Sequence, residues 1–201
     1  MLAEPEAVSF DRLTYHRAPK ALPAGAVTED WPRFLGPRHD LHSNETRLLK
    51  SFPEEGLQKV WEVQRGMGHA PPVVAGNYLV MIHAREGREV IECLHPASGK
   101  RYWKFDYPVE LASSYGVEDA PRSGPVIDGD LVFALGVRGD LHCLELKTGK
   151  LVWKKNLDKQ YGPAPLFFGR GSCPLVYGEL LIVNVGGEMC VGAFQKRTGE
   201  L

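Results

Sequence analysis

No run of this 201-residue chain approaches the roughly 18 consecutive apolar residues that a membrane helix needs, so no transmembrane span is expected. Neither sign of charge is in excess. The chain has 24 Lys and Arg against 25 Asp and Glu, a formal net charge of −1, so electrostatics gives no case for nucleic acid or an anionic membrane as partner. The opening residues, MLAEPEAVSFDRLTYHRAPK, lack a basic start followed by an apolar stretch, and no signal peptide is visible. Cysteine is scarce. Cys93, Cys143, Cys173 and Cys190 form no CxxC pair, which excludes zinc-knuckle and thioredoxin-type motifs.

The common catalytic signatures are absent too: no GxxxxGK[ST], no HExxH, no EF-hand loop. Ala112-Ser-Ser114-Tyr-Gly116 lacks the first glycine of a nucleophile elbow. Seven histidines are scattered without ligand spacing, so they are expected at surfaces and turns, and no metal site is expected. What is plentiful is glycine and proline, 22 and 15 residues, which suits a chain rich in turns and strands.

The turns are periodic. Three segments align: Glu92-Cys-Leu-His-Pro-Ala-Ser-Gly99-Lys-Arg-Tyr-Trp103, His142-Cys-Leu-Glu-Leu-Lys-Thr-Gly149-Lys-Leu-Val-Trp153, and Gly192-Ala-Phe-Gln-Lys-Arg-Thr-Gly199-Glu-Leu201. Gly99, Gly149 and Gly199 are 50 residues apart, and Trp103 and Trp153 each follow their glycine by four. Upstream of each lies a Pro, a short apolar run, a Gly turn and a longer apolar run, with turn glycines at Gly76, Gly129 and Gly178. Such runs around Gly read as β-hairpins.

Each unit therefore predicts four antiparallel strands: near 71–75, 78–84, 89–95 and 101–106; near 123–127, 131–136, 140–146 and 151–156; and near 172–176, 180–185 and 189–195. Trp61 marks another outer strand upstream. Cys93 and Cys143 share one repeat position and are expected as small buried residues. The fold class is all-β, a partial β-propeller of four-stranded antiparallel blades with a repeat of about fifty residues. An outer strand near Trp61, blades at 71–106 and 123–156, and a partial blade at 172–201 make up an incomplete propeller over residues 30–201. Residues 1–29, with Pro5, Pro19 and Pro23, read as a flexible lead-in, and Ser43–Lys50 as one short capped helix. Two complete blades are too few to close a ring of four to eight, so the chain is expected to be a fragment of a longer protein or to self-assemble.

The Thr/Ser-Gly-Lys-x-x-Trp pattern closing each unit resembles the tryptophan-docking motif of quinoprotein propellers. In that family each tryptophan packs between neighbouring blades. The segment Asp30-Trp31-Pro-Arg-Phe-Leu-Gly36-Pro37 resembles the entry motif of bacterial pyrroloquinoline-quinone-like propeller proteins. The resemblance covers residues 30–201. It makes Trp61, Gly99, Trp103, Gly149, Trp153 and Gly199 the structural repeat residues, and it implies a periplasmic or extracytoplasmic setting. The superfamily spans quinone-dependent alcohol dehydrogenases and an outer-membrane assembly lipoprotein. The dehydrogenases carry a disulfide between adjacent cysteines over the cofactor, and no two cysteines are adjacent here. Pyrroloquinoline quinone with calcium thus enters only through the resemblance; the residues themselves point to no cofactor and no catalytic group.

The blade connections, near 107–122 and 158–171, are longer than a hairpin needs. They place Tyr115, Asp119, Arg122, Phe168 and Arg170 as candidates for a loop face that binds a protein or a small polar ligand, with an Arg122–Asp119 pair as the structural alternative. The leading expectation is a non-catalytic binding or scaffold module. The alternative is a quinone-dependent alcohol or sugar dehydrogenase completed by missing blades. A third reading is a polysaccharide- or peptide-binding propeller.

Overall fold

The computed structural model describes residues 5–111, 113–114, 117–118, 120–162, 170–187 and 189–201. In chain order the strands are β1 (Leu13–Tyr15), β2 (Trp61–Val63), β3 (Val73–Ala75), β4 (Tyr78–Arg85), β5 (Arg88–Leu94), β6 (Arg101–Pro108), β7 (Ser113–Ser114), β8 (Val117–Glu118), β9 (Val126–Asp128), β10 (Leu131–Leu135), β11 (Asp140–Glu145) and β12 (Leu151–Asn156). Helix α1 (Leu157–Tyr161) follows, then β13 (Leu175–Tyr177), β14 (Leu180–Gly186) and β15 (Cys190–Gln195). The sheets are β3-β4-β5-β6, β9-β10-β11-β12 and β13-β14-β15, all antiparallel meanders, with β1-β2 ahead of them and the small pair β7-β8 between the first two. These are the blades the repeat predicts, displaced by at most three residues at any strand end.

Alternation along the strands builds two cores. The first gathers Val80, Ile82, Ile91 and Cys93 of one blade with Ile127, Val132, Ala134 and Leu144 of the next. The second gathers Phe133, Leu141 and Cys143 with Leu181, Val183, Val185 and Phe194. Odd positions of the third strand thus face forward and even positions face back, so the second blade is buried on both sides. Cys93 and Cys143 are fully buried free thiols, as their shared repeat position requires. Burial pushes both up to about 12.

The tryptophans join one blade to the next. Trp61 donates its indole N–H to Pro96 O at 2.8 Å, Trp103 to Leu146 O at 2.7 Å and Trp153 to Lys196 O at 2.9 Å. Each ring lies flat against the glycine three residues beyond its acceptor. A methyl group built on Gly99 would stand 2.7 Å from Trp61, one on Gly149 2.5 Å from Trp103 and one on Gly199 2.8 Å from Trp153. These glycines also have φ near +70°, where a side chain is strained in any case. A bulge at Cys93/Leu94 and another at Cys143/Leu144 sit opposite Trp103 and Trp153, at the same point of both blades, and the bulge re-aims the strand that carries each ring.

Three local expectations differ from the structure. The lead-in is tied down rather than free: β1 pairs with β2, and Val8 bridges Arg101 at the edge of β6. Those partners lie tens of residues away, where local periodicity carries no signal. Residues 43–50 form no helix; Thr46 instead bonds Val27 through both backbone and hydroxyl, and Leu48 and Leu49 are exposed with nothing to bury against. Helix α1, unexpected in the connection after β12, starts on Asn156, whose side chain accepts from Lys159 N at 2.9 Å.

Trp103→Ala is expected to cost roughly 3–5 kcal/mol in urea unfolding, because it removes a buried ring and its hydrogen bond. Gly149→Ala, a change of one methyl group in the next blade, is expected to cost at least about 2 kcal/mol by the same assay. Losses below about 1 kcal/mol for both would mean that the rings do not hold the blades together.

Candidate functional site

The residues leading into each inner strand stack against one another along one rim. His69 N and Ala70 N both donate to Pro121 O, at 2.7 and 3.0 Å. Ser123 Oγ donates to Ser172 O at 2.8 Å, and Gly124 N–H points to Cys173 Sγ at 3.2 Å. Arg122 and Arg170, two of the five loop-face candidates, belong to this rim. Gly171, next to Arg170 in the chain, lies beside Arg122: an added methyl group there would touch the Arg122 side chain at 3.6 Å. Tyr115, Asp119 and Phe168 lie outside the described residues, and with them the Arg122–Asp119 pair.

Arg122 is half-buried, and Arg170 is not a surface group at all. The Arg170 guanidinium forms an ion pair with Asp158 of α1 and donates to Asn184 O of β14 at 3.0 Å, while its backbone N–H reaches Val137 O at 3.2 Å. It ties the second blade to the third. A buried guanidinium needs such a saturated set of acceptors, which fixes it inside the array instead of on a binding face.

Two buried carboxylates make comparable ties, and the sequence reading did not single them out. Glu92 of β5 accepts from Arg12 at 2.5 Å, Arg101 at 3.0 Å and His83 Nε2 at 3.1 Å. Gly66 N donates to His83 Nδ1 at 3.1 Å, so the ring proton sits on Nε2 and faces the carboxylate. Burial alone would raise the Glu92 pKa, but the bonds from His83, Arg12 and Arg101 outweigh it and hold the group at about 2. Glu89 of the same strand accepts Tyr107 Oη–H at 2.6 Å and the Val137 N–H of the next blade at 2.8 Å. Burial dominates there and raises its pKa, as it does that of Tyr107. Gly136 is needed for this approach, since a methyl group there would collide with the Glu89 carboxylate and the Tyr107 hydroxyl.

His142, one repeat after Glu92, lies under Tyr107 with ring centroids 4.3 Å apart and against Phe105 at 5.2 Å. Burial, helped by the charge of Lys154, lowers its pKa to about 4. His83 and His142 are therefore core residues, not the surface or turn groups expected. The signal was present in the sequence: His83, Glu92 and His142 each interrupt an apolar strand, Val80-Met81-Ile82-His83-Ala84, Val90-Ile91-Glu92-Cys93-Leu94 and Leu141-His142-Cys143-Leu144.

A further segment runs across the inner edges. Trp31 exchanges both backbone hydrogen bonds with Val74 of β3 at 2.9 Å. Pro32 O then accepts Ile127 N of β9 at 2.9 Å, and Arg33 lies 4.0 Å from Asp128. The stretch that resembles an entry motif thus straps two blades along the side facing the propeller axis.

Among the described residues no group of three or more His, Cys, Asp or Glu could hold a metal ion, and the buried carboxylates are consumed by the ties above. No helix among the described residues is long and apolar enough to cross a membrane.

Radial four-stranded sheets locked by forward-docking tryptophans define a quinoprotein-type β-propeller. A family model described as "Outer membrane protein assembly factor BamB" matches residues 87–201, and the chain belongs to that family of repeat propellers. Its curated relatives include the quinohemoprotein alcohol dehydrogenase ADH IIB of Pseudomonas putida, 32% identical over 110 residues, which cover 52% of this chain and 16% of that protein. The dehydrogenase subunit of the quinone alcohol dehydrogenase of Gluconobacter oxydans is 28% identical over 149 residues, or 70% of this chain and 19% of that one. The chain thus spans about a fifth or less of the length of these relatives. Among solved structures, the quinohemoprotein alcohol dehydrogenase of Comamonas testosteroni superposes with a TM-score of 0.51 at 20% identity, covering 68% of this chain and 20% of that one. BamB of Moraxella catarrhalis gives 0.49 at 23%, covering 70% and 40%.

Three buried groups, His142, Glu92 and Glu89, contribute to the acid limb of stability. The folded pKa of His142 is depressed, so the unfolded chain binds its proton first and stability is lost as pH falls from about 6.5 to about 4, on the order of 3 kcal/mol in all. Glu92 is also depressed, and its contribution disappears between about 4.5 and about 2. Glu89, raised by burial, acts with the opposite sign and favours the folded state as it takes up its proton. Urea midpoints from pH 7 to pH 4 should therefore fall for the native chain and fall less for His142→Phe. Identical slopes would place the acid sensitivity elsewhere.

Proposed function

We propose that the chain is a non-catalytic binding or scaffold module of a pyrroloquinoline-quinone-like repeat protein, working in a periplasmic or extracytoplasmic setting. One observation carries this reading. Among the described residues the buried ionisable groups Glu89, Glu92, His83 and Arg170 are each tied up in bonds between blades or their approach segments. The faces read as offered to a ligand or partner are the rim that carries Arg122 and the inner and outer surfaces of the array. The family description, an outer-membrane assembly factor, supports a role in holding other proteins.

The array is read as part of a larger ring. The outward face of β13–β15 carries Leu175 and Val191 exposed, at positions that are core in the two preceding blades, Val73 and Ile91 in the first and Val126 and Leu141 in the second, and a further blade stacked there would bury them. A second reading, a quinone-dependent alcohol or sugar dehydrogenase whose site is completed by other blades, is favoured by the names of the curated relatives.

The two readings separate in one experiment. The chain is mixed with pyrroloquinoline quinone and calcium and assayed for dye reduction with ethanol and glucose, alongside a pull-down from periplasmic extract. The module reading expects no turnover, no change in the quinone absorbance, and a stable partner whose recovery falls several-fold with Arg122→Glu. Quinone binding with turnover would overturn it in favour of the dehydrogenase.

A further inference from the structure

Each inner strand ends in a two-residue hairpin, closed by Ala75↔Tyr78, Asp128↔Leu131 and Tyr177↔Leu180. Hydrogen-bonded pairs alternate along an antiparallel ladder. The residue before each closing pair therefore turns its N–H and C=O away from the sheet, toward the axis. In β3 that residue is Val74, and Trp31 takes both groups. In β9 it is Ile127, whose N–H is taken by Pro32 O. In β13 it is Val176, which has the same register, and among the described residues neither its N–H nor its C=O has a partner on that edge.

Beyond Pro32 the strap stands off from β13 and leaves a cleft of about 530 Å3. Phe34, Leu35, Leu175 and Tyr177 give it apolar walls, and Arg33 stands at its margin. The Arg33 Nε–H is buried without a hydrogen-bond partner among the described residues. The site thus offers a strand edge, an apolar cleft and a guanidinium.

The chain itself carries the template for an occupant. On β3, Asp30 Oδ1 accepts the hairpin N–H of Gly76 at 2.8 Å while the next residue, Trp31, pairs with Val74. Gly178 and Val176 repeat that arrangement on β13, and among the described residues the Gly178 N–H has no partner. We propose that the inner edge of β13 receives an extended segment of a partner protein in which an acidic residue precedes an aromatic one. The carboxylate takes the Gly178 N–H, the aromatic residue pairs through its backbone with Val176, and its ring enters the cleft beside Phe34 and Tyr177. Strand addition to an exposed edge derives its affinity from main-chain bonds and its specificity from such side-chain pockets. Blades stack through their sheet faces, so a further blade on β13–β15 would cover Leu175 and narrow the cleft on that side, while the main-chain edge of Val176 would still face the axis. The proposal rests on the reading of the chain as a binding module and names a partner chemistry for it.

The test titrates the 15N-labelled chain with the synthetic peptide acetyl-Glu-Asp-Trp-Pro-Arg-Phe-Leu-Gly-amide, the sequence of residues 29–36. Saturable shifts are expected at the Val176 and Gly178 amides. Methylating the backbone nitrogen of the peptide's tryptophan, which leaves the protein untouched, should weaken binding at least tenfold, and Asp→Asn in the peptide several-fold. Absence of saturable shifts, equal binding of the N-methyl peptide, or a response centred on Val74 and Gly76 would each overturn the proposal. A silent titration beside a partner still captured through Arg122 would sink this proposal alone; quinone turnover would sink the module reading instead.

Discussion

Everything in this array depends on a flat indole lying on a glycine that belongs to the following repeat. The contact asks for three things at once: a residue without Cβ, a backbone at positive φ, and a carbonyl three residues earlier that accepts the indole N–H. Gly99, Gly149 and Gly199 meet all three. The ring removes a large apolar surface from water while its one polar atom stays bonded, so burial carries no desolvation penalty. Two extensive cores form on either side of the second blade only because these contacts hold the sheets at a fixed angle and separation.

The polar ties refine what the tryptophans establish. Glu92, Glu89 and Arg170 each reach across to a neighbouring sheet or approach segment, and each is saturated on arrival. A buried charge of this kind adds little net stability, yet a neighbour in the wrong register would leave it unpaired at high cost. In a repeat protein, whose blades resemble one another, such ties distinguish the correct neighbour from a similar one.

The repeat was legible because it is written locally. Gly-x-x-x-Trp and Pro…Gly recur every fifty residues or so, and strands of alternating character lie between them, so element positions followed to within a few residues. What each tryptophan touches was less direct. In the sequence Trp103 belongs with Gly99, four residues before it, but in space it belongs with Gly149. Periodicity shows which positions are equivalent and not which are in contact. The same limit hid the ordered lead-in, since Leu13 meets Trp61 and Gly99, residues with no local relation to it. It also misplaced Arg170, whose loop position suggested exposure while its acceptors lay on α1 and β14. Glu92 and His142 could have been found by asking why a charged residue should interrupt a run of Val, Ile, Cys and Leu.

The docking contact also has a direction. Every indole reaches toward a glycine later in the chain: 38 residues later for Trp61, 46 for Trp103 and Trp153. A ribosome therefore delivers each ring well before its seat. For that interval a newly made sheet holds an exposed aromatic edge, and it is sealed only when its successor emerges. The order of synthesis thus favours assembly from the amino-terminal end, each unit completing the one before it. A lesion in one turn glycine would leave its own sheet formed and strand the sheet made just before it.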